Sequence, residues 1–314
     1  MTDVPQPAAD EHAEIIDGLR SDQKLISPKF FYDERGSQLF DAICEQPEYY
    51  PTRTELGIME DNLDEMAELI GPDVSLIEYG SGSSTKTRLL LDRLSELNAY
   101  VPVDISRDYL ASTAEQLAED YPSIEVLPVC ADFTQPFEVP VGSRAAARNV
   151  LYFPGSTIGN FAKPAALELM KVMREEAGDD GGLLIGVDLV KPKDILEPAY
   201  NDAAGVTADF NLNLLRRLNR EHKADFELDA FRHEAVYDED QDRIEMRLIA
   251  LDRQTVKIGE EKLEFAKDEY IVTEHSHKYQ LEQFAEFASK AGFTVREVWT
   301  DEQDLFSVQY LEAA

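Results

Sequence analysis

Apolar positions recur at helical spacing from Glu11 to about Glu48, with a break at Ser27-Pro28. Pro47-Glu48-Tyr49-Tyr50-Pro51 then reads as a rigid aromatic segment held between two prolines. Thr54 opens a long amphipathic helix with Leu56, Met59, Leu63, Met66 and Leu69 on one face, closed by Gly71-Pro72. From there the period changes. Short apolar runs at 75–79, 100–103, 124–129, 149–153 and 183–189 predict strands. Helical patterns at 85–97, 109–119 and 164–177 fall between them. Strands alternating with helices of this length predict a parallel sheet covered on both faces, a doubly wound α/β fold.

After Lys191-Pro192-Lys193 the alternation stops. A helical stretch over about 200–221 precedes four runs that read as antiparallel strands, 231–237, 243–251, 254–258 and 269–274, with an acidic hairpin turn at Asp238-Glu239-Asp240-Gln241-Asp242. A helix at 280–291 ends at Gly292, and 294–300 with 305–311 forms a closing strand pair. The expected organisation is therefore a doubly wound domain interrupted by an α+β insertion. Residues 1–55 form a helical part of the second domain, 56–192 the sheet domain and 193–278 the insertion. Residues 279–314 supply a C-terminal helix and hairpin that complete the sheet. The first ten residues, rich in Pro and Ala, are expected to fray.

The sharpest local signal is a strand that runs into Gly80-Ser81-Gly82-Ser83-Ser84-Thr85-Lys86 and then opens a helix. Glycines allow a tight turn and a close approach of backbone to ligand. A pyrophosphate-binding loop asks for a third glycine, where this chain has Thr85. Glu78, just before the turn, points instead to S-adenosylmethionine (SAM), which carries an adenosine and an amino acid but no phosphate. Asp104 closes the next strand, where an acid can accept both ribose hydroxyls. Asp132 follows the third strand, placed to receive the adenine amino group, with Phe133 beside it to line the ring. Three such features at the carboxyl ends of successive strands point to nucleoside binding.

Composition narrows the class further. The chain has 314 residues, 43% hydrophobic and 30% charged, enough for a sizeable core. Its 63 Asp plus Glu against 30 Lys plus Arg give a formal charge of −33. Nucleic acid and anionic membrane are poor partners for such a surface. The acids are scattered along the chain, as in a solubilising or salt-adapted coat. Two cysteines, Cys44 and Cys130, form no disulfide framework. With no signal-peptide pattern and no run of membrane-spanning length, a soluble cytoplasmic protein is expected, and a monomer.

With these residues assembled, the chain resembles the ergothioneine-pathway histidine Nα-methyltransferase family. The resemblance covers nearly the whole chain. It rests on Phe31-Tyr32-Asp33, on Pro47-Glu48-Tyr49-Tyr50-Pro51-Thr52-Arg53-Thr54-Glu55 and on Gly80-Ser81-Gly82. It continues through Gly155-Ser156-Thr157-Ile158-Gly159-Asn160, the stretch from Ala199-Tyr200 to Thr207-Ala208, Arg243-Ile244-Glu245-Met246 and Thr273-Glu274-His275-Ser276. What it implies is a Rossmann-like methyltransferase sheet with a second α+β domain for the substrate. The implied reaction is three methyl transfers from SAM to the α-amine of L-histidine, giving hercynine. By the same resemblance Gly80, Gly82, Lys86, Asp104, Asp132 and Phe133 match cofactor positions. Asn160 and Tyr200 match residues holding the substrate carboxylate, with Gly155 beside them. Tyr32 and Tyr49 match tyrosines of the reacting site, Tyr49 also contacting substrate. Glu274 and Ser276 match the pair reading the imidazole, and Met246 a residue of the same wall. His277 and Tyr279 depart from the family pattern.

The residues themselves make the chemistry reasonable. Transfer to an amine needs a neutral lone pair held in line, so positioning and desolvation dominate. A free α-amine titrates near 8, so no strong base is assigned. Tyrosine hydroxyls can accept an amine N–H, and aromatic faces favour cationic ammonium. Glu274 and Ser276, two apart in an extended run, share a face. His275 and His277 share the other, but no third ligand at suitable spacing accompanies them, and no metal is expected. Two other readings remain open: an α-amine methyltransferase for another amino acid such as tryptophan or tyrosine, and a non-catalytic SAM-binding sensor.

Overall fold

A computed structural model describes residues 2–3, 11–82, 85–94, 96–135 and 137–314. Most of the stretch expected to fray, Ser83 and Ser84 of the glycine turn, and Ser95 in the expected 85–97 helix lie outside the described residues. The chain divides into two compact units. The first comprises residues 1–6, 51–190 and 278–314, the second 7–50 and 191–277. The divisions expected from the sequence fall at 55/56, 192/193 and 278/279, with residues 1–6 in the helical part of the second domain.

The first unit is built on a mixed sheet. Its strands lie in the order Thr2–Asp3, Val129–Cys130, Ala99–Asp104, Val74–Tyr79, Arg148–Phe153, Gly182–Asp188, Phe306–Ala313, Phe293–Thr300. All pair parallel except the last two, which form an antiparallel hairpin laid antiparallel on Gly182–Asp188. The central strands are apolar on both faces because both are covered. Ile77, Val101, Leu151 and Leu183 pack with Leu169, Met170 and Met173 of the helix Lys163–Ala177 and Phe284 of the helix Leu281–Lys290. The alternate positions Leu76, Tyr100, Val150 and Leu184 pack with Met59 and Met66 of the helix Tyr50–Ile70, Leu90 of Thr85–Arg93 and Leu117 of Arg107–Asp120. The chain leaves Val74–Tyr79 toward one side of the sheet, then returns to its other side at Arg148–Phe153. In open α/β sheets such a reversal of strand order marks, at the carboxyl ends of the strands, the usual place for a ligand. This is the doubly wound α/β fold expected from the alternation.

The second unit is α+β. The helices Glu34–Cys44 and Val206–Glu221 pack together. The latter also packs on a three-stranded antiparallel sheet ordered Tyr270–His277, Arg243–Ala250, Phe231–Asp238. Phe31 stacks on Phe210 at 4.4 Å, and Phe226, Phe231 and Phe265 form an edge-to-face cluster.

Several elements differ from expectation. The helix expected from Thr54 begins at Tyr50, because Pro51 is tolerated in a first turn where its missing N–H costs nothing. The third sheet strand shrinks to Glu125–Val126 and Val129–Cys130. A helix not expected from the pattern, Lys193–Ala199, comes first, and the helix expected over about 200–221 is confined to Val206–Glu221. Gly205 separates them at φ 77°, and the Asp202 carboxylate caps the second by accepting Val206 N (2.8 Å) and Thr207 N (2.7 Å). The 254–258 run does not join the three-stranded sheet. It pairs with an unexpected strand, Glu261–Phe265, in a separate hairpin. Asp238 accepts Asp240 N and Gln241 N, which makes the acidic run a hairpin turn. Among the described residues no helix is long and apolar enough to cross a membrane.

Candidate active site

In the first unit the cofactor-type residues gather at the carboxyl edge of the sheet. Gly80 (φ 72°) and Gly82 (φ 44°) turn the chain out of Val74–Tyr79 in conformations that L side chains rarely adopt. Asp104, at the end of the neighbouring strand, accepts Gly82 N at 3.3 Å on one oxygen and Ser106 N at 2.8 Å on the other, and the Ile105 backbone is a further donor. Burial raises its pKa, against the backbone donors that lower it. Phe133 stacks on Tyr79 at 5.2 Å and meets Phe153 edge-on at 5.8 Å. A Cβ at Gly80 would lie 3.9 Å from the Phe133 ring, so the glycine and the aromatic border one space. Asp132 accepts Thr134 N at 3.0 Å.

Gly155 (φ 73°) and Ser156 (φ 55°) form the turn after Arg148–Phe153. The 3-10 turn Thr157–Asn160 follows and ends on Asn160. Ser156 Oγ accepts Asp188 N at 2.9 Å, and Asp188 pairs with Lys278 at 2.7 Å, both fully buried. Lys86 forms an ion pair with Glu55, whose two oxygens each lie 3.0 Å from Gly155 N. Gly155 N–H is thereby committed to Glu55, so what Gly155 supplies is the turn. Glu55 is wholly buried, in room that exists because Gly186 has no side chain: a Cβ there would come within 2.1 Å of Glu55 Oε1. Glu78 is buried too and accepts from Thr87 (2.6 Å) and Tyr100; burial raises its pKa to about 8.

The second unit gathers the other set. Tyr200 Oη and Ser276 Oγ are 2.8 Å apart. Tyr49 meets Tyr200 edge-on at 6.1 Å, and Tyr49 and Tyr32 each meet Phe40 edge-on, at 6.2 and 6.1 Å. Glu274 is the register partner of Met246 across the antiparallel pair, just beyond an irregularity between Val272 and Glu274. Burial, reinforced by the nearby Tyr200 and Glu274, raises the Tyr49 pKa well above its ordinary value. Its phenol therefore stays protonated at neutral pH. Tyr32, Tyr49, Tyr200, Met246, Glu274 and Ser276 thus belong to one unit. Gly80, Gly82, Lys86, Asp104, Asp132, Phe133, Gly155 and Asn160 belong to the other. Among the described residues no group of three or more His, Cys, Asp or Glu side chains could hold a metal ion. His275 instead contacts Glu245 at 3.3 Å.

A family model described as a histidine-specific, SAM-dependent methyltransferase matches residues 11–313. The chain belongs to this family. Over 305 residues it is 41% identical to the histidine N-alpha-methyltransferase of Mycolicibacterium smegmatis, covering 94% of each chain. It is 39% identical over 301 residues to the histidine N-alpha-methyltransferase of Mycobacterium tuberculosis, covering 94% of this chain and 92% of that one. Ergothioneine biosynthesis protein 1 of Neurospora crassa is 32% identical over 280 residues, which is 86% of this chain but 31% of that larger protein.

Several groups of this member of the family carry no role that their sequence neighbourhood assigns. Glu55 lies one turn before Ile58 and Met59, on the buried side of its helix; an acid at an apolar-face position is a signal a periodicity reading can catch. Asp33 accepts Gly36 N (2.7 Å), Asn213 (2.9 Å) and Arg220 (2.7 Å), tying the segment after Tyr32 to the helix Val206–Glu221. Asn211 and His233 bond one another at 2.8 Å. The bond to Gly36 is a local helix cap, but no local pattern announces the other partners, because they are far apart in the chain.

Proposed function

We propose that this methyltransferase trimethylates the α-amine of L-histidine with SAM, yielding hercynine for ergothioneine formation. The observation that carries the substrate side is the Tyr200–Ser276 hydrogen bond on a wall that also holds Glu274 and Met246 in register. A carboxylate and a hydroxyl two residues apart can satisfy an imidazole whose two nitrogens need different partners. Tyr200 and Asn160 take the substrate carboxylate in this reading. Tyr32 and Tyr49 border the amine, and Met246 closes the imidazole wall.

The edge of the first unit fits a nucleoside. The half-buried Asp104 carboxylate takes backbone donors on both oxygens and, with four lone pairs, retains capacity to accept a ribose hydroxyl. Phe133, whose ring lies next to the Gly80 turn, offers an aromatic face to a flat base. Gly82, Asp132 and Lys86 complete the set that would hold SAM, which when bound supplies a methyl group activated by the sulfonium. The protein's residues position and desolvate. Protonated Tyr49 is a neutral hydrogen-bond partner rather than a base. Its hydroxyl can accept an amine N–H early in the sequence, and its ring tolerates the charged product later. No dedicated base is assigned to the α-amine in this reading. Incubation with SAM and each amino acid in turn, followed by mass, tests the reading. Three added methyl groups on histidine are expected. Equal or greater methylation of tryptophan or tyrosine overturns the substrate assignment.

A further inference from the structure

We propose that His233 is a positioning residue for Tyr200, holding its main chain as a neutral imidazole of one fixed tautomer; this rests on the reading of Tyr200 as a substrate-binding residue. Tyr200 follows the helix Lys193–Ala199, at its C-terminal end, where carbonyls lack helical partners. His233 Nε2, from the strand Phe231–Asp238, lies 2.8 Å from the Tyr200 carbonyl oxygen. On the other side of the ring, Nδ1 lies 2.8 Å from Asn211 Nδ2, and the same Nδ2 lies 3.1 Å from the Arg247 carbonyl.

Both ends of this chain are carbonyl oxygens, which only accept. The Arg247 carbonyl requires Asn211 to present its NH2, and the second N–H of that group then points to Nδ1. Nδ1 must accept, so the ring proton belongs on Nε2, where it is donated to Tyr200. A second ring proton would set N–H against N–H at Asn211, and burial disfavours the charged form in the same direction. Asn211 is itself fully buried in the helix Val206–Glu221, so the relay is anchored in packed structure. The Tyr200 backbone is thus tied to one strand through His233 while its hydroxyl is tied to another through Ser276 at 2.8 Å. Two tethers on separate strands leave the phenol little freedom to drift.

Variants His233→Leu and His233→Gln separate this role from simple packing. Leucine removes the donor, whereas the glutamine amide can place an N–H near the Nε2 position. His233→Leu should raise KM for histidine about tenfold, the scale of one lost hydrogen bond, with SAM affinity unchanged by calorimetry. His233→Gln should recover most of the loss. In a Tyr200→Phe background, where the phenol contact is already gone, His233→Leu should add little. A Tyr200→Phe protein that binds histidine like the parent removes the substrate role of Tyr200 and the role of His233 with it. A Tyr200→Phe defect with none in folded His233→Leu removes the His233 role alone. Should the leucine variant not fold, nitrogen-15 NMR of the parent imidazole decides. Protonation on Nε2 alone at neutral pH is expected, and a proton on Nδ1 overturns the proposal.

Discussion

Asp104 concentrates the cofactor reading in one side chain, since its carboxylate ties the glycine turn to the next strand while keeping capacity for a ligand. Asp104→Ala should weaken SAM binding by about 1–3 kcal/mol, the cost of leaving hydroxyls unpaired. Calorimetry on a folded variant that returns the parent affinity would refute the ribose role. Glu274 bears on choice of substrate. A charge-assisted hydrogen bond is worth about 1.5–3 kcal/mol, one to two decades of specificity, so Glu274→Ala should lower kcat/KM for histidine far more than for tryptophan. An unaltered ratio between the two substrates would withdraw the imidazole role. Glu78 supplies a pH dependence. Its folded pKa of about 8 stands above the ordinary 4.5, so the folded protein keeps a proton that the unfolded chain gives up across that window. The stability contributed by this proton is full below about 4.5 and is lost as pH rises through 8. Between about pH 5 and pH 8 the melting temperature of the parent should fall more than that of Glu78→Gln, which mimics the protonated acid; parallel curves would count against a buried neutral Glu78. The proposed cofactor residues were readable because they follow strand ends in a known order. Glu55 and His233 act through partners distant in sequence, and only the tertiary fold identifies those partners.

Among the elements, Gly182–Asp188 shows how a strand can serve the site without contributing a reactive side chain. Gly186 opens the room that Glu55 fills, and through Glu55 the strand fixes Lys86 and the Gly155 turn. Gly186→Ala should therefore displace Glu55, lowering stability by about 1–3 kcal/mol as overpacking does, and weakening SAM binding together with it. A variant with parent stability and parent affinity would show that Glu55 has another place to go. Helices and parallel strands were largely visible in the apolar period, since both faces of the central strands are buried. The boundaries that moved have local causes: Pro51 sits inside the first turn of a helix instead of preceding it, and Gly205 with the Asp202 cap sets the start of another at Val206. Glu261–Phe265 is faint in the apolar pattern because its buried positions alternate with exposed Lys and Glu, so only Leu263 and Phe265 mark it.

Taken as a whole molecule, the chain carries a formal charge of −33 spread over its length. Self-repulsion of that size opposes the compact state, and salt screens it over a Debye length of about 10 Å at 0.1 M. The melting temperature should rise from low to molar potassium chloride; a flat or falling curve would argue against a salt-adapted coat. Total charge was plain from composition, but composition does not report how the chain is threaded between its two units. Tyr50 is the last residue of the first segment of the second unit, and Lys191 the first residue of the next. Their side chains meet at 2.8 Å in the interior, with the ammonium 4.6 Å from the centre of the tyrosine ring. Everything from Pro51 to Val190 therefore leaves and re-enters that unit through one point. In polymer terms the excursion is a long loop whose ends are pinned together, and the entropy of closing such a loop grows only with the logarithm of its length. Lengthening the excursion by insertion would thus cost the second unit little, whereas separating the two ends at Tyr50 and Lys191 would cost it the closure itself.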